Sequence, residues 1–93
     1  MTTLPTISSY GDYSSNNYGV HTKRLDLESI TLWYSYDTII AYRDNTDGMV
    51  ICENVWGTTT GKHLNWINSD HKIRKPYALF DTMLKSACVR HNI

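Results

Sequence analysis

From Val20 onward the hydrophobic positions fall at a period of two. Leu25 and Leu27 share one side, and Ile30, Leu32, Tyr34 and Tyr36 then alternate with Thr31, Trp33 and Ser35. Successive side chains of a strand point to opposite faces, so both runs predict strands, with Glu28-Ser29 as the turn between them. Thr38 to Arg43 is β-branched and aromatic, and only Asp37 separates it from the preceding run. So short a link predicts an antiparallel neighbour. Asp44-Asn45-Thr46-Asp47-Gly48 has the chemistry of a hairpin turn, with Gly48 free to take a positive φ, and leads into a fourth strand, Met49 to Val55.

Beyond Trp56-Gly57 the period changes. Three threonines precede Gly61-Lys62-His63-Leu64-Asn65-Trp66-Ile67-Asn68, and a threonine hydroxyl suits the free amides of a helix start, so a short helix is expected. Pro76 stands where a first-turn proline is tolerated, and Leu79, Phe80, Met83, Leu84, Ala87 and Cys88 follow at helical spacing. Lys85, Arg90 and His91 lie toward the C-terminal end of that helix, where positive charge suits its dipole. Residues 1–19 mix turn formers with tyrosines and show neither period, which predicts an irregular arm, partly packed through its rings. The expected fold is α+β over residues 20–93: a four-stranded antiparallel β-meander with a short helix and a C-terminal amphipathic helix packed on one face.

Composition narrows the function classes. The 93 residues suffice for one domain with one small core, and 41% apolar against 19% charged residues permit folding. Nine basic side chains balance nine acidic ones, so nothing in the total drives broad attraction to duplex DNA. No stretch approaches the roughly 18–20 apolar residues of a membrane span, and Met1 to Ser9 lacks the basic-then-apolar pattern of a signal peptide. A cytoplasmic protein is expected, with no membrane role. Cys52 and Cys88 make no disulfide framework and read as small buried hydrophobes.

Several chemistries fail on spacing. Gly57-Thr58-Thr59-Thr60-Gly61-Lys62-His63 has three residues between its glycines and a histidine after the lysine, whereas a phosphate-binding loop needs four and then Ser or Thr. A milder role, holding a phosphate or carboxylate at the helix start beside Lys62, competes with a purely structural cap. Among His21, His63, His71, His91, Cys52 and Cys88, only Cys88 and His91 are closely spaced, and structural zinc needs two such pairs. No metal or cofactor is expected. No nucleophile elbow or activated-thiol context surrounds either cysteine.

Aromatic residues, 12% of the chain, concentrate in and just after the strands. If Tyr34 and Tyr36 line the core with Leu32, Trp33 occupies the opposite face, which would form a platform for unpaired bases. Core packing is the competing explanation. The run Glu53 to Asn65 crowds hydrogen-bonding side chains at a strand-to-helix junction, readable either as a binding site or as groups that satisfy one another.

At these residues the chain resembles a family of small uncharacterised proteins, a domain of unknown function met in bacterial, phage and plasmid genomes. The resemblance rests on Tyr13-Ser14-Ser15-Asn16-Asn17-Tyr18-Gly19-Val20-His21-Thr22, on Leu32-Trp33-Tyr34-Ser35-Tyr36, on Ile40-Ala41-Tyr42-Arg43 and, most specifically, on Glu53-Asn54-Val55-Trp56-Gly57-Thr58-Thr59-Thr60-Gly61-Lys62-His63-Leu64-Asn65-Trp66-Ile67. It implies a mobile-element origin and no particular activity. Small phage products often act by binding a host protein, defence nucleases included.

The leading expectation is a noncatalytic module that binds, and by binding inhibits, a host protein through Asn17, His21, Asn54, Trp56, Lys62 and His63. Tyr and Trp are favoured interface anchors. The alternative is single-stranded nucleic acid on Trp33, Arg43 and Lys62, with Lys23 and Arg24 in support. A third reading makes His21 or His63 a general acid or base, which the imidazole allows but no paired group yet supports.

Overall fold

The computed structural model describes residues 4–11 and 21–93. Within them the alternating runs pair as a five-stranded antiparallel sheet in sequential order: β1 (Thr6–Ser8), β2 (Thr22–Asp26), β3 (Ile30–Ser35), β4 (Thr38–Asp44) and β5 (Gly48–Ile51). Two helices follow, α1 (Thr58–Ile67) and α2 (Tyr77–Arg90), joined through a 3-10 turn at His71–Ile73.

The sheet has one strand more than the pattern predicts. β1 lies in the stretch read as irregular, where Thr6, Ile7 and Ser8 pair with Asp26, Leu25 and Arg24. Three residues, all exposed, carry no alternation from which a strand could be read. The last strand is shorter than expected. It ends at Ile51, and Cys52 then makes a single parallel bridge to Lys75. There the Lys75 amide donates to the Ile51 carbonyl at 2.8 Å, and the Glu53 amide to the Lys75 carbonyl at 2.8 Å.

Alternation along the strands builds two cores. Ile30, Leu32, Tyr42, Val50 and Cys52 meet Phe80 and Ala87 of α2, with Met83 and Leu84 at the margin. Their neighbours Trp33, Ala41 and Ile51 point the other way and meet Leu64 of α1, together with Tyr10 from the arm. The helices therefore cover opposite faces of the sheet. A bulge adjusts the second face: Trp33 pairs with Ala41 and Tyr34 with Ile39, leaving Ile40 as the extra residue. Ile40 and Ala41 both turn toward α1, and neither is exposed.

The far end of α2 is latched to the β4–β5 turn. Asp44 Oδ2 accepts from Arg90 Nη2 at 2.7 Å and pairs with His91 Nε2 at 2.9 Å, while its Oδ1 accepts from the amides of Thr46 and Asp47 at 3.1 and 2.7 Å. Asp47 Oδ2 accepts from the Tyr42 hydroxyl at 2.6 Å and from Arg90 Nη2 at 2.9 Å. Burial and the two aspartates push the Tyr42 hydroxyl pKa upward, and the Tyr42 and Arg90 donors hold the Asp47 carboxyl below its ordinary value.

Candidate functional site

Two structural details shape the loop between β5 and α1. Asn54 Oδ1 accepts from the amides of Trp56 and Gly57 at 3.0 and 3.2 Å, and its Nδ2 donates to the Gly57 carbonyl at 2.9 Å. Gly61 leaves the room this requires, since a Cβ there would stand 2.8 Å from Asn54 Nδ2. The expected threonine cap is not made. Gly57 occupies the cap position with no side-chain bond, because the helix begins at Thr58 and the threonines already lie in its first turn.

At the opposite wall, Tyr36 and Asp37 turn β3 into β4. Tyr36 has φ 55°, a left-handed conformation that usually falls to glycine or asparagine. This places its ring on His21, stacked at 4.1 Å between centroids. Tyr36 is thus not the core residue its alternation suggests, being 46% exposed at the hairpin tip. Trp56 is 37% exposed, with its ring edge-on to Tyr77 at 6.0 Å.

Between these aromatics lies an open groove of about 310 Å³, lined by Ser35, Tyr36, Thr38, Ile40, Trp56 and residues 57–60. Its lining carries hydroxyls, two aromatic rings and one aliphatic side chain. No acidic, basic or carboxamide side chain belongs to it.

Beneath the groove a buried polar network ties α1 to the sheet. Ser35 Oγ lies 2.9 Å from Thr60 Oγ1 and 2.7 Å from His63 Nδ1. His63 is fully buried, with Tyr10 edge-on at 6.2 Å. Its side chain therefore lies beneath the surface, where the bond to Ser35 links α1 to β3. Tyr10 reinforces the same layer, its hydroxyl donating to the Tyr34 carbonyl at 2.7 Å.

The other sequence-selected residues separate. Asn17 lies outside the described residues. His21 and Trp56 back or form the groove walls, Asn54 shapes the loop without lining the groove, and Lys62 is exposed on α1 outside it. Glu53 accepts from the Tyr77 amide at 3.3 Å. Trp33 is 5% exposed, packed with the α1-side core, and Arg24 covers its ring at 5.4 Å. The open aromatic platform is thus absent at Trp33. Arg43 is exposed, with Thr31 and Met49 as its cross-strand neighbours.

A second, polar groove on the other side of the loop is lined by Glu53, Asn54, Gly61, Asn65, His71 and Arg74. Asn65 Oδ1 accepts from Arg74 Nη2 at 2.7 Å and stands 3.1 Å from His71 Nε2. Arg74 also reaches the Asn68 carbonyl at 3.4 Å. These bonds fasten the 3-10 turn to the C-terminal end of α1, where a cation suits the free carbonyls.

Among the described residues no group of three or more His, Cys, Asp or Glu side chains is placed to hold a metal ion. Burial, with the Glu53 charge behind it, pushes the Cys52 thiol up to about 11, so it stays protonated at neutral pH. No described helix is long and apolar enough to cross a membrane.

Sequence reasoning missed Ser35, Tyr36 and Thr38. The available signal was the lack of glycine or asparagine in a two-residue hairpin turn, which leaves Tyr36 in a backbone conformation it rarely adopts.

No curated protein and no solved structure matches the chain. A family model does match, over residues 4–82, and so takes in the hairpin tip, the loop and α1 together. The chain belongs to that family, a family of unknown function, DUF8033.

Proposed function

We propose that this chain is a noncatalytic binding module of mobile-element origin that engages a host protein through the groove between Tyr36 and Trp56. The observation that carries the reading is Tyr36 itself. An aromatic residue in left-handed backbone costs on the order of 1 kcal/mol or more, and such strain concentrates where a side chain must be aimed. Here it is aimed at a groove whose other wall is a half-exposed tryptophan. Both rings are backed by a further ring, so little side-chain freedom remains to be lost on binding. Blocking a host protein such as a defence nuclease is the activity this reading implies.

The test is capture of the partner from host lysate by the tagged chain, with and without nuclease, alongside Tyr36→Gly and Trp56→Ala variants shown to be folded. A nuclease-resistant protein retained by the wild type and lost by both variants is expected. Undiminished retention by the folded double variant would refute the groove as the binding site, and nuclease-sensitive capture would favour single-stranded nucleic acid instead.

A further inference from the structure

The lining of the groove also restricts what can occupy it. We infer that the groove takes a proline-rich, extended segment of the partner protein, an inference that rests on the groove being the binding site.

Charge narrows the ligand first. No Lys, Arg, His, Asp or Glu side chain lines the groove, so no formal charge there balances that of an ionic ligand, and the first-turn amides of α1, which Gly57 leaves without a side-chain cap, add only hydrogen-bond donors. The lining also lacks Asn and Gln. A carboxylate accepts from neighbouring ligand hydroxyls and a carboxamide both accepts and donates, and a sugar would find neither here.

What the lining supplies is donors beside flat apolar faces. The Trp56 indole N–H only donates, and the hydroxyls of Tyr36, Thr38, Thr58 and Thr59 donate wherever a ligand offers only acceptors. A run of prolines is such a ligand, since each residue presents a carbonyl and has no N–H to satisfy. Its pyrrolidine rings are compact and apolar, suited to the exposed faces of Tyr36 and Trp56 and to the Ile40 side chain on the same lining. A polyproline helix is also preformed, so binding orders little of the ligand.

Size points the same way. A groove of about 310 Å³ is at the small end of ligand pockets, enough for a short run of residues and too small for a folded surface. Strand addition is a poorer match, because Ser35 and Thr38, which line the groove, already pair with each other in the β3–β4 ladder.

The experiment is a titration of the isotope-labelled full chain with a terminally blocked peptide of ten prolines, followed by amide and indole resonances, against a blocked glycine-serine peptide of equal length. Shifts confined to Tyr36, Thr38, the Trp56 indole and residues 57–60 are expected, with a Kd of about 1 mM or tighter. The glycine-serine peptide should produce none. Affinity should fall at least tenfold in Trp56→Ala and in Tyr36→Gly, the latter keeping the turn unstrained and the fold intact. Absence of shifts at saturating proline peptide, equal response to the control, or unchanged affinity in both variants would overturn the inference.

The two readings fail separately. Partner capture that depends on Tyr36 and Trp56 but resists competition by the proline peptide overturns the ligand class and leaves the groove standing. Partner capture that ignores both residues removes the groove, whatever the peptide does.

Discussion

Asp44 shows how much one carboxylate can hold. Its side chain has no exposure, and burial alone would raise its pKa. The Asp47 amide, the Arg90 guanidinium and the His91 imidazole outweigh burial and hold it at about 2, against an ordinary 3.8. A depressed carboxylate contributes stability that is fully present above its unfolded pKa and is lost as pH falls through the folded value. Unfolding free energy should therefore decline between about pH 4 and pH 2 by on the order of 2 kcal/mol from this group. Asp44→Asn should flatten that part of the profile in urea titrations at stepped pH. At Tyr36, glycine relieves a left-handed penalty of about 1 kcal/mol and forfeits a ring stack of about the same size. Tyr36→Gly should leave the urea midpoint almost unchanged while partner capture disappears. A large loss of stability would instead make Tyr36 a structural residue.

At the scale of elements, the loop and α1 depend on one pair. Asn54→Ala removes three hydrogen bonds and should cost about 1–2 kcal/mol. Gly61→Ala alone sets a helix gain of about 1 kcal/mol against displacement of the Asn54 amide, so little net change is expected. In the Asn54→Ala background that conflict is gone, and Gly61→Ala should stabilise by about 1 kcal/mol; a double-mutant cycle by chemical denaturation reads the difference. On α2, helical spacing correctly marks the apolar face but does not rank its members. Phe80 is buried against Tyr42, whereas Leu79 on the same face is 47% exposed. Phe80→Ala should cost about 3–5 kcal/mol and Leu79→Ala well under 1 kcal/mol in thermal or urea unfolding. Periodicity gives direction around an axis, and the distance to the sheet decides burial.

In the whole molecule one sheet is shared by two cores. Leu32 and Trp33 are adjacent in the chain and belong to opposite layers, as do Val50 and Ile51, so losing either helix strips one face of the same strands. Helical circular dichroism and fluorescence from the buried Trp33 should therefore report one coincident unfolding transition; separated midpoints would mean that α1 or α2 detaches first. The sequence by itself determined the α+β class, four of the five strands and both helices, because alternation and helical spacing are local consequences of which residues repeat. It also singled out the Glu53–Asn65 run as the place to look. What it could not do was sort that run by role: Asn54 shapes the loop, His63 is buried under the groove, and Trp56, Thr58, Thr59 and Thr60 line it, Thr60 also bonding to Ser35. Nor could it bring Tyr36 and Thr38 opposite Trp56. Those placements come from tertiary structure, because they depend on a hairpin tip and a helix start some twenty residues apart meeting at the same end of the sheet.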